Sequence, residues 1–179
     1  YDGFADTVIS GEAEYIWKEF CGDFERGTPR RLYAETGTVS MADSPTPRFD
    51  LLKLEKYSVV TMQFSRGCPY RCEFCDIPEL YGRNPRLKSP ARMIRELDAL
   101  MEAGAHGAIY FVDDNFIGNK KAAKELLPHL IEWQKKHNYA IRLAAELTLN
   151  VAQDREVLEL AKHAQIGSAS CRDGGRVEV

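Results

Sequence analysis

The sequence predicts an α/β fold built on a parallel sheet, and three observations carry that prediction. From residue 58 onward, short apolar runs of strand length alternate three times with amphipathic stretches of helix length. The connections between the runs are long enough to hold a helix, which joins parallel neighbours through right-handed crossovers. The residues capable of chemistry stand where the runs end, the edge of a parallel sheet at which active sites lie.

In chain order, Asp6 to Ser10 reads as a short strand and Glu12 to Phe24 as a helix with Ile16, Trp17 and Phe20 on one side. Residues 28–57 carry Pro29, Pro45 and Pro47 among short polar stretches and read as an extended linker. "SVVTMQF" is a strand that ends at a cysteine-rich loop. Ser89 and Pro90 then supply an N-cap and a first-turn proline, with Ile94, Leu97 and Met101 on one face and Gly104 at the stop. "AIYFV", residues 108–112, is the second strand and runs into the polar turn Asp113, Asp114, Asn115. A helix follows from about Lys120 to Lys136, with Leu126, Leu130 and Trp133 as its apolar stripe and Pro128 as an expected kink. "YAIRLAAEL" is the third strand, and Asp154 caps a third helix through Val157, Leu158 and Ala161.

Composition narrows the function. The 179 residues include 24 Lys and Arg against 27 Asp and Glu, a net charge of -3, so no overall basic field draws nucleic acid or an acidic membrane surface. No apolar run approaches the ~18 residues of a membrane span, and the first residues lack a signal-peptide pattern. These features predict a soluble, cytoplasmic protein acting on a small molecule. Five cysteines without an export signal argue for reduced thiols rather than a disulfide framework.

Three of those thiols, Cys68, Cys72 and Cys75, fall within "SRGCPYRCEFC" at CxxxCxxC spacing. A structural zinc site takes four protein ligands, commonly as two separated pairs, and neither Cys21 nor Cys171 is an evident fourth. Three thiolates suit a [4Fe-4S] cube bound at three corners, which leaves one iron for an exchangeable ligand. Structural zinc and three chance buried cysteines are the competing readings.

With Phe74 directly before the last cysteine and the loop after a first parallel strand, this stretch resembles the radical SAM superfamily, which cleaves S-adenosylmethionine reductively to a 5'-deoxyadenosyl radical. The resemblance implies that Cys68, Cys72 and Cys75 ligate the cluster, that the open iron takes the amino and carboxylate groups of S-adenosylmethionine, and that Phe74 lies near the adenine. The superfamily commonly has a Gly-Gly-Glu-like turn after its second strand to hold the methionine amino group; here the turn is "VDDNF". Asp113, Asp114 and Asn115 have the acceptors for that role, and the resemblance does not single out one of them. Glu146, at the end of the third strand, is a further candidate for a cofactor or substrate contact, with a solvated strand-end carboxylate as the competing reading. The segments "PRFDLLKLEKY", "VDDNFIGNKK" and "LTLNVAQD" resemble the branch that carries an N-terminal cobalamin-binding domain and includes hopanoid methylases.

The resemblance implies a partial (βα) barrel of about three units over residues 58–166, preceded over residues 1–27 by the C-terminal tail of a Rossmann-like cobalamin-binding domain. Cobalamin would belong to the full-length parent only, since the Asp-x-His-x-x-Gly loop that ligates cobalt is absent from this stretch. A small-molecule or lipid-like substrate and an external electron donor such as flavodoxin or ferredoxin are the implied partners. An iron-sulfur electron-transfer module without radical chemistry, and an inactive truncated fragment, are the alternatives.

Residues 167–179, "GSASCRDGGRVEV", show no strand pattern where the resemblance expects a fourth strand. Dropping one base from codons for Cys171 to Gly174 permits Val-Gly-Met-Glu, so a frameshift near Ser168 is expected to have replaced that strand. Genomic sequencing is expected to reveal an open continuation in the shifted frame; a closed one refutes the shift.

Overall fold

A computed structural model describes residues 3–170 and 176–177. The chain divides into two units, Tyr1–Pro45 and Thr46–Val179.

The first unit is a β-α-β element. Strand β1 (Val8–Ser10) leads into helix α1 (Ala13–Glu25), and strand β2 (Leu32–Ala34) returns parallel to β1 with Ile9 opposite Tyr33. The expected linker over residues 28–57 therefore contains a strand. Three residues are too few to show a period, and β2 is held instead by tertiary packing of Tyr33. Its ring is 1% exposed, meets Phe20 edge-on at 5.5 Å and lies beneath the Arg30 guanidinium, while its hydroxyl donates to Asp23 Oδ2 at 2.7 Å.

The second unit opens with two 3₁₀ turns that bury Phe49 and Leu54. Strand β3 (Val59–Met62) follows, then β4 (Ser65–Arg66), the short helix α2 (Ile77–Tyr81), β5 (Arg86–Leu87) and helix α3 (Pro90–Glu102). Strand β6 (Ala108–Phe111), helix α4 (Lys120–Lys136), strand β7 (Arg142–Glu146), helix α5 (Arg155–His163), β8 (Ile166–Ser170) and β9 (Arg176–Val177) complete it. The sheet order is β3-β6-β7-β8-β9, with the first four strands parallel and β9 antiparallel to β8.

Local chemistry sets the helix boundaries. Ser89 Oγ accepts from Arg92 N at 3.3 Å, Asn119 Oδ1 from Ala122 N at 3.1 Å and Asp154 Oδ1 from Val157 N at 3.2 Å, so α3, α4 and α5 each begin on a side-chain cap. Helix α4 is continuous through Pro128, which withholds one N–H from the ladder. Gly107 (φ +86°) brings β6 beside β3; a Cβ there would lie 2.5 Å from Ser58 O.

Strand β8 corrects the expectation of a strandless tail over residues 167–179. Ile166 stands opposite Leu143 and Ala169 opposite Ala145, with an irregularity after Leu143. Gly, Ser and Ala give no β-branched or alternating signal, so the pairing comes from the edge of β7 rather than from local propensity. Cys171 and the rest of the Cys-Arg-Asp-Gly segment read as frameshifted lie outside the described residues.

One face of the sheet is packed. Val60, Met62, Ile109, Phe111, Leu143 and Ala145 are buried there with Met93, Leu97 and Leu100 of α3 and Leu126, Leu127, Leu130 and Trp133 of α4. Alternation places Thr61, Tyr110 and Ala144, paired in register across β3, β6 and β7, on the opposite and more exposed face. Among the described residues no helix is long and apolar enough to cross a membrane.

Leu97 has no exposed surface. Leu97→Ala is expected to lower the unfolding free energy by about 2–5 kcal/mol, measured by urea denaturation, because the void is closed in by the sheet and α4.

Candidate cofactor site at the strand ends

The cysteine loop leaves the sheet at the carboxyl end of β3 and is closed at its base. Antiparallel pairing of β4 with β5 sets Ser65 opposite Leu87 and Arg66 opposite Arg86, and Lys88 N donates to Phe64 O at 2.9 Å. Cys68 N reaches Gly82 O at 3.2 Å and ties the first cysteine to the end of α2. Gly67 sits at φ +100°, and a Cβ there would stand 2.9 Å from Gly82 O, so both conformation and space require glycine.

None of the three cysteines is in a disulfide; Cys68 is buried and Cys72 and Cys75 are half-buried. Burial pushes the Cys68 thiol pKa up; the N–H of Tyr70 bonded to its sulfur opposes that shift, and the nearby Asp114, Cys72 and Cys75 add to it. Cys75 N donates to Cys72 O at 3.0 Å, folding the CxxC segment into one turn. Three cysteines outside any disulfide on one loop, one sulfur already accepting a main-chain N–H, fit a cluster held at three corners. Among the described residues no three or more His, Cys, Asp and Glu side chains converge on a point where a single metal ion would sit.

The polar turn after β6 packs under this loop. Asp113 is 1% exposed, and its Oδ1 accepts from Phe64 N at 3.1 Å and also from Ser65 N. The carboxylate expected to meet an ammonium is thus turned beneath the loop. Its Oδ2 and Ser65 Oγ are buried without hydrogen-bond partners. Burial pushes the Asp113 carboxyl from an ordinary 3.8 up to about 7, against the lowering effect of the Ser65 and Phe64 donors. Asp114 Oδ2 accepts from Gly67 N at 2.9 Å, so the two adjacent aspartates hold three amides of the loop's first arm, those of residues 64, 65 and 67.

Asn115 is buried and faces the end of β7: its Nδ2 donates to Thr148 Oγ1 at 3.1 Å, and its Oδ1 accepts from Ile117 N at 3.2 Å. Glu146 accepts a hydrogen bond from the Tyr110 hydroxyl, and its main-chain oxygen takes Phe116 N at 2.9 Å. Phe74 is 67% exposed, an aromatic face on the tip of the cysteine loop. The geometry therefore draws Asp113 and Asp114 to the loop, joins Asn115 to the β7 end, leaves Phe74 outward, and pairs Glu146 with Tyr110.

Several contributors carry no signal in the sequence. Tyr70 accepts from Asn150 Nδ2 across 80 residues, and Thr148 Oγ1 donates to Asn150 Oδ1 at 2.7 Å. Lys88, in the basic stretch "YGRNPRLKSP", is buried and paired with Glu96 at 2.7 Å, which Arg92 also meets at 3.3 Å. Arg83 and Arg86 donate to the carbonyls of Pro69 and Tyr81. These cations brace the loop from within. Only spatial proximity marks such pairs, and the periodicity of one sequence does not carry it.

The family model for the Radical SAM superfamily matches residues 62–168. The Hopanoid C-2 methylase of Rhodopseudomonas palustris (strain TIE-1) is 51% identical over 142 residues, 79% of this chain and 27% of that protein. An uncharacterized methyltransferase of Synechocystis sp. (strain ATCC 27184 / PCC 6803 / Kazusa) is 44% identical over 156 residues, 87% of this chain and 29% of that protein. The chain thus spans less than a third of the length of these curated relatives. Among solved structures, the cobalamin-dependent S-adenosylmethionine radical enzyme OxsB, with aqua-cobalamin and S-adenosylmethionine bound, superposes with a TM-score of 0.57 at 24% identity, covering 78% of this chain and 21% of that one. The radical S-adenosylmethionine methyltransferase TsrM from Kitasatospora setae, with cobalamin and [4Fe-4S] cluster bound, gives 0.55 at 23% identity, covering 66% and 22%. At those identities the structural likeness concerns the fold.

The Asp113 clamp has a pH signature. The folded carboxyl keeps its proton up to about pH 7 while the unfolded one releases it near 3.8, so the folded state binds more protons between those values. The stability contributed by Asp113 therefore falls as pH rises through that window and levels off above it. Asp113→Asn keeps an oxygen acceptor for both amides and removes the ionisation. Urea denaturation at a series of pH values is expected to show the variant gaining on the wild type between about pH 4 and pH 7; a constant difference across that range refutes the assignment.

Proposed function

The chain belongs to the radical SAM superfamily, and on that premise we propose that it carries the cluster loop and part of the S-adenosylmethionine site of a cobalamin-dependent radical methylase. The observation that carries this reading is the set of three cysteines outside any disulfide, Cys68, Cys72 and Cys75, on one braced loop at the carboxyl end of β3. Cys68 is fixed by its N–H to Gly82 and by the adjacent Gly67 amide on Asp114, while the half-buried Cys72 and Cys75 complete the ligand set. When bound, a [4Fe-4S] cluster supplies the electron that splits S-adenosylmethionine into methionine and a 5'-deoxyadenosyl radical.

The remaining residues bind and orient. Phe74, outward at the loop tip, offers its ring to the adenine. The turn Asp113 to Asn115 stands beside the cysteines; Asp113, buried, acts from beneath by fixing the loop, and Asp114, only half-buried and with one oxygen on Gly67 N, is the aspartate able to offer its other oxygen to a methionine ammonium. Glu146, oriented by Tyr110, lies at the end of the next strand on the more exposed side of the sheet and serves the cofactor or the substrate.

Residues 58–166 are assigned as the N-terminal half of a partial barrel, and the β1-α1-β2 unit is assigned to the end of a cobalamin-binding domain of the full-length parent. The parent is assigned as a cytoplasmic methylase of a small-molecule or lipid-like substrate, reduced by a flavodoxin or ferredoxin. Methyl transfer is supported by the naming of the relatives as methylases and methyltransferases.

Anaerobic reconstitution with iron and sulfide is expected to load about four irons per chain and, after reduction, to give a low-temperature paramagnetic resonance signal that changes on adding S-adenosylmethionine. Alanine at Cys68, Cys72 or Cys75 is expected to abolish stable loading. Phe74→Ala is expected to weaken the cofactor response by about 1–3 kcal/mol, roughly 5- to 160-fold in half-saturating concentration, with cluster content retained. A cluster signal indifferent to the cofactor would make the chain an electron-transfer or cluster-binding module instead, and no loading at all would mark an inactive fragment.

A further inference from the structure

One hydrogen-bonded chain crosses the site and belongs to none of the roles above. Asn115 Nδ2 donates to Thr148 Oγ1 at 3.1 Å, Thr148 Oγ1 donates to Asn150 Oδ1 at 2.7 Å, and Asn150 Nδ2 donates to the Tyr70 hydroxyl. Donors and acceptors alternate without conflict: the threonine hydroxyl accepts once and donates once, and the Asn150 amide uses its oxygen toward one partner and its nitrogen toward the other. All four residues are buried or half-buried, where a missing partner is costly. The chain ends at the cysteine loop itself. Tyr70 stands between Cys68 and Cys72, and its own main-chain N–H is bonded to the Cys68 sulfur.

From this geometry we infer that Tyr70 and Asn150 are positioning residues: they fix the cysteine loop to the turns that end β6 and β7, and so set the register between the thiols and the turn that holds the cofactor. The aspartates hold the loop's first arm, residues 64, 65 and 67, through its main chain. Among the described residues, the Tyr70 hydroxyl bond is a side-chain tie to the β7 end made from within the CxxxC segment, where the distance between Cys68 and Cys72 is set. Losing it frees the segment without removing a ligand. Asn115 thereby acquires a role at a distance, since its amide reaches the thiols through Thr148, Asn150 and Tyr70.

The inference rests on the cofactor reading for its consequence but not for its physical content, and two readouts keep the failures apart. In the cluster-free chain, hydrogen exchange of the amides in residues 68–75 is expected to rise roughly two- to tenfold in Tyr70→Phe and in Asn150→Ala, with α3 and α4 unchanged. Tyr70→Phe keeps the ring, so its packing survives. The double variant is expected to exchange no faster than the faster single one, because both changes break the same bond. Unchanged exchange in Tyr70→Phe, or effects that multiply in the double variant, overturns the inference. In the reconstituted chain both variants are expected to load the same iron as the wild type while needing roughly two- to tenfold more S-adenosylmethionine to alter the resonance signal. A wild-type signal that ignores the cofactor defeats the functional reading alone, and the exchange result then decides the positioning role by itself.

Discussion

The site depends on how the chain leaves β3, and that exit is fixed by a carboxylate placed where solvent does not reach. Asp113 accepts the amides of Phe64 and Ser65 just past the last paired residue of the strand. Two buried N–H groups left without acceptors would each cost about 1–3 kcal/mol, and the strand ladder has no carbonyl to offer them at this point. The carboxylate answers that need at the cost of its own desolvation, which appears in its raised pKa. The exchange specifies one path for the loop rather than adding much net stability. Asp114 extends it by one step, taking Gly67 N where the glycine turns the chain toward Cys68.

The rest of the loop is built around that start in order of decreasing restraint. Its base is braced by β4 and β5, and Lys88 at the foot of β5 is held by Glu96 within α3. A buried ion pair of this kind is weak evidence for stability, but breaking it leaves an uncompensated charge, which penalises other placements of β5. Farther out, Cys68 is buried and anchored through its own N–H, whereas Cys72, Phe74 and Cys75 lie on a more exposed tip. On the proposed reading, with one fixed thiol and two more accessible ones, a bound cluster would complete the ordering of the tip, so that part of its binding free energy would be folding free energy.

How much of this was legible follows the range of the interactions. The helices α3, α4 and α5 announced themselves because caps and apolar stripes act within a few residues: Ser89 and Asp154 cap α3 and α5 through bonds three residues long, and α4 showed the stripe Leu126, Leu130 and Trp133. The cysteine triplet was equally local. Strands β2 and β8 were missed because Leu-Tyr-Ala is too short for a period and Gly-Ser-Ala-Ser lacks one; both exist by pairing with a strand placed elsewhere. Asp113 was read as a candidate from its place at a strand end, but its direction was not legible, since a sequence does not say whether a carboxylate turns toward solvent or under a loop 48 residues earlier. The Tyr70 and Asn150 contact, 80 residues apart, left no local trace at all.

The sheet itself separates stability from function by parity. Residues at even positions of β3 and odd positions of β6 and β7 meet the helices, and there the side chains are Val60, Met62, Ile109, Phe111, Leu143 and Ala145, chosen for volume. The other parity carries Thr61, Tyr110, Ala144 and Glu146, smaller or polar and only partly covered. A sheet buried on both faces would read as continuous apolar runs, and these strands alternate instead. The polar face is therefore free to change its chemistry with little effect on the packed one, and its strands all deliver their carboxyl ends to the same edge. At that edge Glu146 is joined to Tyr110, and Asn115 to Thr148. Bonds between neighbouring strand ends make the rim one rigid piece, and the cysteine loop is fastened to it by Asp113, Asp114 and Tyr70 rather than by the sheet's own ladder.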